Sequence, residues 1–212
     1  MTTAVHSVVI APTTRKRHTY RMSNADNIAV LRVELQNIEP LIWRRVAVRT
    51  AMNLTEVHGV VQAAMGWLNS HMWELHVNGR KYAMNLPDEP DWNERFENAE
   101  AVSLATLLAS GERQMEYIYD IGDYWEHFII VERTTAPLPD VSYPQFLGGE
   151  RRCPPEDCGG PFGYNEFLRK IASKQSKTRK AALNWYGGQY DPDDIDEKKI
   201  VAALNVIGKA AR

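Results

Sequence analysis

The stretch YIYDIGDYWEHFII, residues 117–130, decides the fold. Two runs rich in aromatic and β-branched residues flank Gly122-Asp123, a glycine-first pair suited to a type II′ turn. The spacing predicts an antiparallel hairpin in which 121 pairs with 124, 120 with 125, 119 with 126 and 118 with 127. In that register Ile118, Asp120, Trp125 and His127 share one face, and Tyr117, Tyr119, Tyr124, Glu126 and Phe128 share the other. Asp120 and His127 become diagonal neighbours. A carboxylate there would orient the imidazole and raise its pKa, as general acid–base chemistry requires, so Asp120, Asp123, Glu126 and His127 form the candidate catalytic set. The competing reading gives the aspartates to turn chemistry and packs His127 beside Trp125.

Working outward, IAVLRVELQNIEPLIWRRVAVRT, residues 28–50, reads as two antiparallel strands, with Pro40 near the start of the second. Asn53 and Glu56 have capping-box spacing before a helix expected over about 54–66. HMWELHVNGRKYAM, residues 71–84, holds an Asn-Gly hairpin turn. An acidic surface loop is expected over 87–100, and a short helix ends near Gly111. Helices are expected at about 163–173, 178–186 and 196–208, the last with Asp196 as N-cap. Hairpins followed by a C-terminal helical group define an α+β fold on an antiparallel sheet. A polar, mildly basic segment, 1–26, is read as a flexible tail and 27–212 as one domain.

A chain of 212 residues with 44% hydrophobic and 25% charged residues supports a single core without staples. A formal charge of -2 confines any nucleic-acid contact to a local patch. The first residues lack a secretory signal pattern and no apolar run suits a membrane span, so a cytoplasmic protein without membrane attachment is expected.

Six blocks in order resemble the plasmid pRiA4b ORF-3-like family: IEPLIWRRVAV, LTEVHGVVQAAMGW, SHMWELHV, YIYDIGDYWEHFIIVE, YPQFLGGERRCPPEDCGGPFGYNEFL and WYGGQYDPDDIDEKKIVAAL. The resemblance covers about 28–205. It implies kinship with proteins found on plasmids and mobile elements, some of which carry a transposon or resolvase label. LRKIASKQSKTRK, residues 168–180, stands where that family is often acidic.

RRCPPEDCGG, residues 151–160, contains the only two cysteines. C-x₄-C lies at the edge of zinc spacing, and a closed site needs two further ligands, with His71, His76 and His127 as the available histidines. The candidate metal set is Cys153, Cys158, His127 and His76, with zinc as the implied cofactor. A redox pair and a rigid turn are the other readings, and the ligand count favours the turn: two prolines lead in and two glycines lead out. Separately, Arg169, Lys170, Lys174, Lys177, Arg179 and Lys180 place six cations in twelve residues, a candidate phosphate-binding face that Arg44, Arg45 and the tail's Arg15, Lys16 and Arg17 would extend. No P-loop, dinucleotide fingerprint or G-x-S-x-G elbow is present. The leading functional expectation is a binding or adaptor module for protein or nucleic acid, and the alternative is a metal-dependent or acid–base enzyme.

Overall fold

The computed structural model describes residues 27–210. Its strands are β1 (Ile28–Leu35), β2 (Ile42–Arg49), β3 (Trp73–Val77), β4 (Arg80–Ala83), β5 (Glu97–Asn98), β6 (Gln114–Tyr119), β7 (Trp125–Thr135) and β8 (Gln145–Glu150). The helices are α1 (Leu54–Met65), α2 (Pro90–Arg95), α3 (Leu104–Ala109), α4 (Gly160–Ile171), α5 (Ser176–Tyr186) and α6 (Glu197–Ala210). One eight-stranded sheet runs β5-β4-β3-β6-β7-β1-β2-β8. Its ladders are antiparallel except β4–β5. The fold is α+β, as expected. The tail assigned to 1–26 lies outside the described residues, and among those described no helix is long and apolar enough to cross a membrane.

Strand alternation builds the core. Leu31, Val33 and Leu35 of β1, Ile42, Val46 and Val48 of β2, Leu75 of β3, Tyr117 and Tyr119 of β6 and Trp125 and Ile129 of β7 are fully buried, together with Leu54, Val57 and Val61 of α1. α1 starts at a complete capping box: Asn53 Oδ1 accepts from Glu56 N at 2.9 Å, and Glu56 Oε2 accepts from Asn53 N at 2.8 Å. Gly66, at φ +90°, ends it in the left-handed conformation that glycine adopts without steric cost.

Two local expectations need correction, and one strand was not expected. The β6–β7 connection is not a two-residue turn: Tyr119 pairs with Trp125, Ile118 with Glu126 and Tyr117 with His127, leaving 120–124 as a five-residue loop. The register is therefore one residue from the expected one, and Tyr117 and Tyr119 join Trp125 and His127 on the buried face. The acidic 87–100 stretch is not all loop, since it contains α2 and β5 and is tied to β4 by the Arg80–Glu97 ion pair. QFLGGE, without alternation, forms the edge strand β8 because β2 offers it a free ladder.

Two histidines sit inside this core. His58 lies face to face with Trp73 at 4.3 Å, between Tyr117 Oη at 2.8 Å and Asn69 Oδ1 at 2.7 Å. His127, wholly buried, donates from Nδ1 to Tyr117 O at 3.2 Å. Burial pushes both imidazoles down to about 4. Each is neutral in the folded chain at pH 5, whereas an unfolded chain protonates histidine near pH 6.5, so the unfolded state takes up protons and folding weakens as pH falls from about 6.5 to 4. Urea unfolding is expected to show stability lower at pH 5 than at pH 7 by roughly 2 kcal/mol per histidine. A His127→Leu variant should show a shallower dependence, and a stability constant between pH 7 and 5 would contradict this assignment.

Candidate functional site

Three connections converge beyond the paired ends of β3 and β6. The first, 67–72, carries the chain from α1 to β3 and contains His71. The second is the 120–124 loop, which opens on Asp120. The third, 151–159, joins β8 to α4 and contains Glu156 and Asp157.

The sheet brings the first two together. Trp73 pairs with Tyr119, and the next amide along, Asp120 N, donates to Met72 O at 2.9 Å, which sets Asp120 beside His71. Asp120 has φ +56°, a conformation that aspartate tolerates better than most residues. Its Oδ1 accepts from Gly122 N at 2.9 Å and Asp123 N at 3.2 Å, so one carboxylate oxygen organises the loop.

Direct bonds hold the third connection against the others. Trp67 Nε1 donates to Pro154 O at 3.2 Å, and Leu68 N donates to Glu156 Oε1 at 2.8 Å. Tyr119 Oη donates to the same oxygen at 3.1 Å, and Gly159 N donates to Asp123 Oδ2 at 3.0 Å. Gly160, at φ +65°, presses close enough that a Cβ would stand 2.5 Å from Asp123 O.

His71 Nε2 is the focus of the arrangement. It lies 3.0 Å from Asp157 Oδ1, 3.6 Å from Asp120 Oδ2 and 3.9 Å from Glu156 Oε2. This nitrogen is buried and has no hydrogen-bond partner among the described residues, so its bonding direction meets none of these oxygens. Asp120 is only 7% exposed, while the Asp157 side chain is 73% exposed and opens the cluster to solvent. Among the described residues no lysine or arginine ion-pairs with Asp120, Glu156 or Asp157. A buried carboxylate with two others beside it and no cation is an electrostatic cost. His71, Asp120 and Asp157 form the one group of metal-ligating side chains gathered within 4.8 Å among the described residues.

The residues expected to act on sequence grounds are dispersed unevenly. Asp120 is in the cluster and Asp123 buttresses it from the same loop. Glu126 lies on the other side of the hairpin, accepting from Asn37 Nδ2 at 3.2 Å. His127 is not held by Asp120; it lies edge-on to Trp67 at 5.1 Å, and burial rather than a carboxylate governs its protonation. His76 bonds Glu74 Oε2 at 2.7 Å and approaches Glu116 at 3.8 Å.

The four metal ligands expected do not assemble. Cys153 turns into the core near Arg44, and burial raises its thiol far above the ordinary range. Cys158 is pushed up to about 12 by burial, then by the neighbouring carboxylates of Asp123, Asp157 and Glu156. Both are free thiols. Glu156 and Asp157, which lie between the two cysteines, and His71, in the loop before β3, are the residues that converge instead.

The basic stretch is exposed on α4, α5 and their link. Arg169 pairs with Glu166, while Lys170, Lys174, Lys177, Arg179 and Lys180 make no ion pair among the described residues. Lys170 and Lys177 border a groove that also contains Phe167 and Trp185. Arg44 does not extend this face: it is wholly buried and donates to Ala64, Trp43 and Glu150 carbonyls at 2.8–2.9 Å. Arg45 is engaged with Glu132.

Comparison with known proteins agrees with the sequence resemblance. The family model described as plasmid pRiA4b ORF-3-like protein matches residues 27–199, and the chain belongs to that family. It is 40% identical over 167 residues to the protein named uncharacterized protein y4hQ of Sinorhizobium fredii (strain NBRC 101917 / NGR234), covering 78% of this chain and 84% of that one. The crystal structure of a protein of unknown function, MM3350, from Methanosarcina mazei Go1 is similar with a TM-score of 0.73 and 25% identity, over 81% of this chain and 96% of that chain.

Gly160 offers a direct test of how the loops are held. A Gly160→Ala variant must place a methyl against Asp123 O from a positive-φ backbone, and is expected to lose about 1–3 kcal/mol in urea unfolding. Wild-type stability would show that the α4 start does not press on the 120–124 loop.

Proposed function

We propose that the chain is a cytoplasmic binding protein whose site is a divalent cation held by His71 Nε2, Asp120 Oδ2 and Asp157 Oδ1, with Glu156 as a fourth carboxylate alongside. The observation that carries this reading is His71 Nε2, buried and, among the described residues, without a hydrogen-bond partner and faced by three carboxylates that pair with no lysine or arginine. The spacing suits a shared ion. Ligand atoms roughly 2.0–2.2 Å from one cation stand about 3–3.5 Å apart, and the His71 nitrogen is 3.0 and 3.6 Å from the two aspartates.

One imidazole with carboxylates favours a borderline ion such as Zn²⁺ or Mn²⁺ over a thiolate-loving one. The cation would remove the electrostatic cost of Asp120 and leave coordination positions open toward solvent at Asp157. Through those positions it would bind an anionic oxygen or activate water, which is how the site would support metal-dependent chemistry. Isothermal titration of metal-stripped protein with ZnCl₂ and MnCl₂ is expected to show one site. Asp120→Asn and His71→Ala, checked for folding by circular dichroism, should each weaken it by more than about tenfold, or 1.4 kcal/mol. Absence of binding to wild-type protein, or equal affinity in both variants, would remove this reading.

A second reading, nucleic-acid binding, draws on a separate observation: five exposed cations on α4, α5 and their link that form no ion pair among the described residues. Such a face holds phosphates by releasing counterions. Binding of a DNA or RNA oligomer should then fall steeply between 50 and about 200 mM salt, and Lys170→Ala with Lys177→Ala should reduce the slope by about 2. No binding at low salt would sink it.

A further inference from the structure

Beside the cation site lies a small slot of about 240 Å³ that His71 itself helps to line. Its walls are flat and polarizable. Met72 and Met84 stand at the mouth, 43% and 44% exposed, an unusual placement for two thioethers. Trp92 of α2 forms the lip and is fixed by a bond from its indole N–H to Met84 O at 3.1 Å. Trp73 lies deeper, backed by the His58 ring.

The polar side chains that line the slot are Thr55, His58, Asn69, Ser70 and His71. No aspartate, glutamate, lysine or arginine lines it. His58 is uncharged near pH 7, and both its nitrogens are engaged within the protein. Thr55 is different: it lines the slot, and its Oγ1 is covered and has no hydrogen-bond partner among the described residues, so that a turn about χ1 would bring it to an occupant. A buried hydroxyl left without a partner costs about 1–3 kcal/mol, so a pure hydrocarbon would be a poor occupant. The fitting group is flat, uncharged and polar at its edge. Its size is bounded too, since about 240 Å³ lies below the roughly 300 Å³ at which sites for whole drug-sized ligands begin. That leaves room for one ring system.

We infer that the slot takes the heteroaromatic base of a nucleotide, stacked among Trp92, Met72 and Met84 and hydrogen-bonded by Thr55, with the phosphate of the same molecule on the cation. The phosphate half rests on the cation reading above. Base and phosphate sites are joined through His71, which lines the slot while its Nε2 faces Asp120 and Asp157. A metal supplies the charge that the slot lacks, and the slot supplies the stacking surface that carboxylates cannot.

Isothermal titration separates the two halves. Mn²⁺-loaded protein is titrated with AMP, GMP, CMP, UMP and inorganic phosphate, and metal-free protein with the four free nucleosides. At least one monophosphate is expected to bind tenfold or more tighter than inorganic phosphate. Thr55→Val and Trp92→Ala should each weaken that nucleotide about tenfold, in line with the loss of one stacked or bonded base, while Mn²⁺ affinity stays unchanged. If Mn²⁺ binds but no monophosphate exceeds inorganic phosphate, or the two variants bind it as well as wild type, base recognition is overturned and the cation site stands. If Mn²⁺ does not bind but a nucleoside does, in a Thr55-dependent manner, base recognition is supported and the phosphate half fails with the cation reading. Neither binding overturns both.

Discussion

Tyr119 opposite Trp125 is the pairing on which the site depends. It commits Tyr117, Tyr119, Trp125 and His127 to the helix-facing side of the sheet, where all four are buried without measurable exposure. A one-residue slip would send these large rings to the opposite face, so packing enforces the register. Five residues are then left out of the ladder, and the first of them is Asp120. Its amide still reaches Met72 O, so the end of β6 carries this carboxylate to the residue that follows His71.

The same aromatic layer receives the cysteine-containing connection. Trp67 lies 4.8 Å from Tyr119 and 5.1 Å from His127, and its indole N–H ties down Pro154. Glu156 then bonds Leu68 N and Tyr119 Oη, which leaves Asp157 at the rim facing His71. Close packing extends into α4. A Cβ on Gly163 would fall 1.8 Å from Cys158 O, so this helix can start where it does only with glycine at that position. The segment entered by prolines and left by glycines turns at Glu156-Asp157, and this places carboxylates rather than thiols beside His71.

Local signals were legible in the sequence where one short segment contains its own explanation. The Asn53–Glu56 capping box and the Asn78-Gly79 turn between Val77 and Arg80 are of this kind. Gly122-Asp123 misled because both faces of 117–130 carry aromatic residues, so alternation does not choose between two adjacent registers; burial against Trp67 and α1 does. β8 was not legible for a related reason: QFLGGE has no alternation and is a strand only because β2 lies beside it. Asp120 was identified from its hairpin, yet its neighbours in the cluster, His71, Glu156 and Asp157, come from 36 to 49 residues away along the chain. Turn-forming aspartates look alike in sequence whether or not three loops meet at them. The cysteine spacing pointed at the right segment and the wrong side chains, since Cys153 packs into the core near Arg44 while Glu156 and Asp157, between the cysteines, turn toward His71.

The central claim is that His71, Asp120 and Asp157 share a cation. Anomalous diffraction from crystals soaked in MnCl₂, recorded on the high-energy side of the manganese edge, addresses it without reference to any activity. The account predicts one dominant peak about 2.0–2.4 Å from His71 Nε2 and from an oxygen of each aspartate. A peak elsewhere, or none at these residues in a fully soaked crystal, would contradict it.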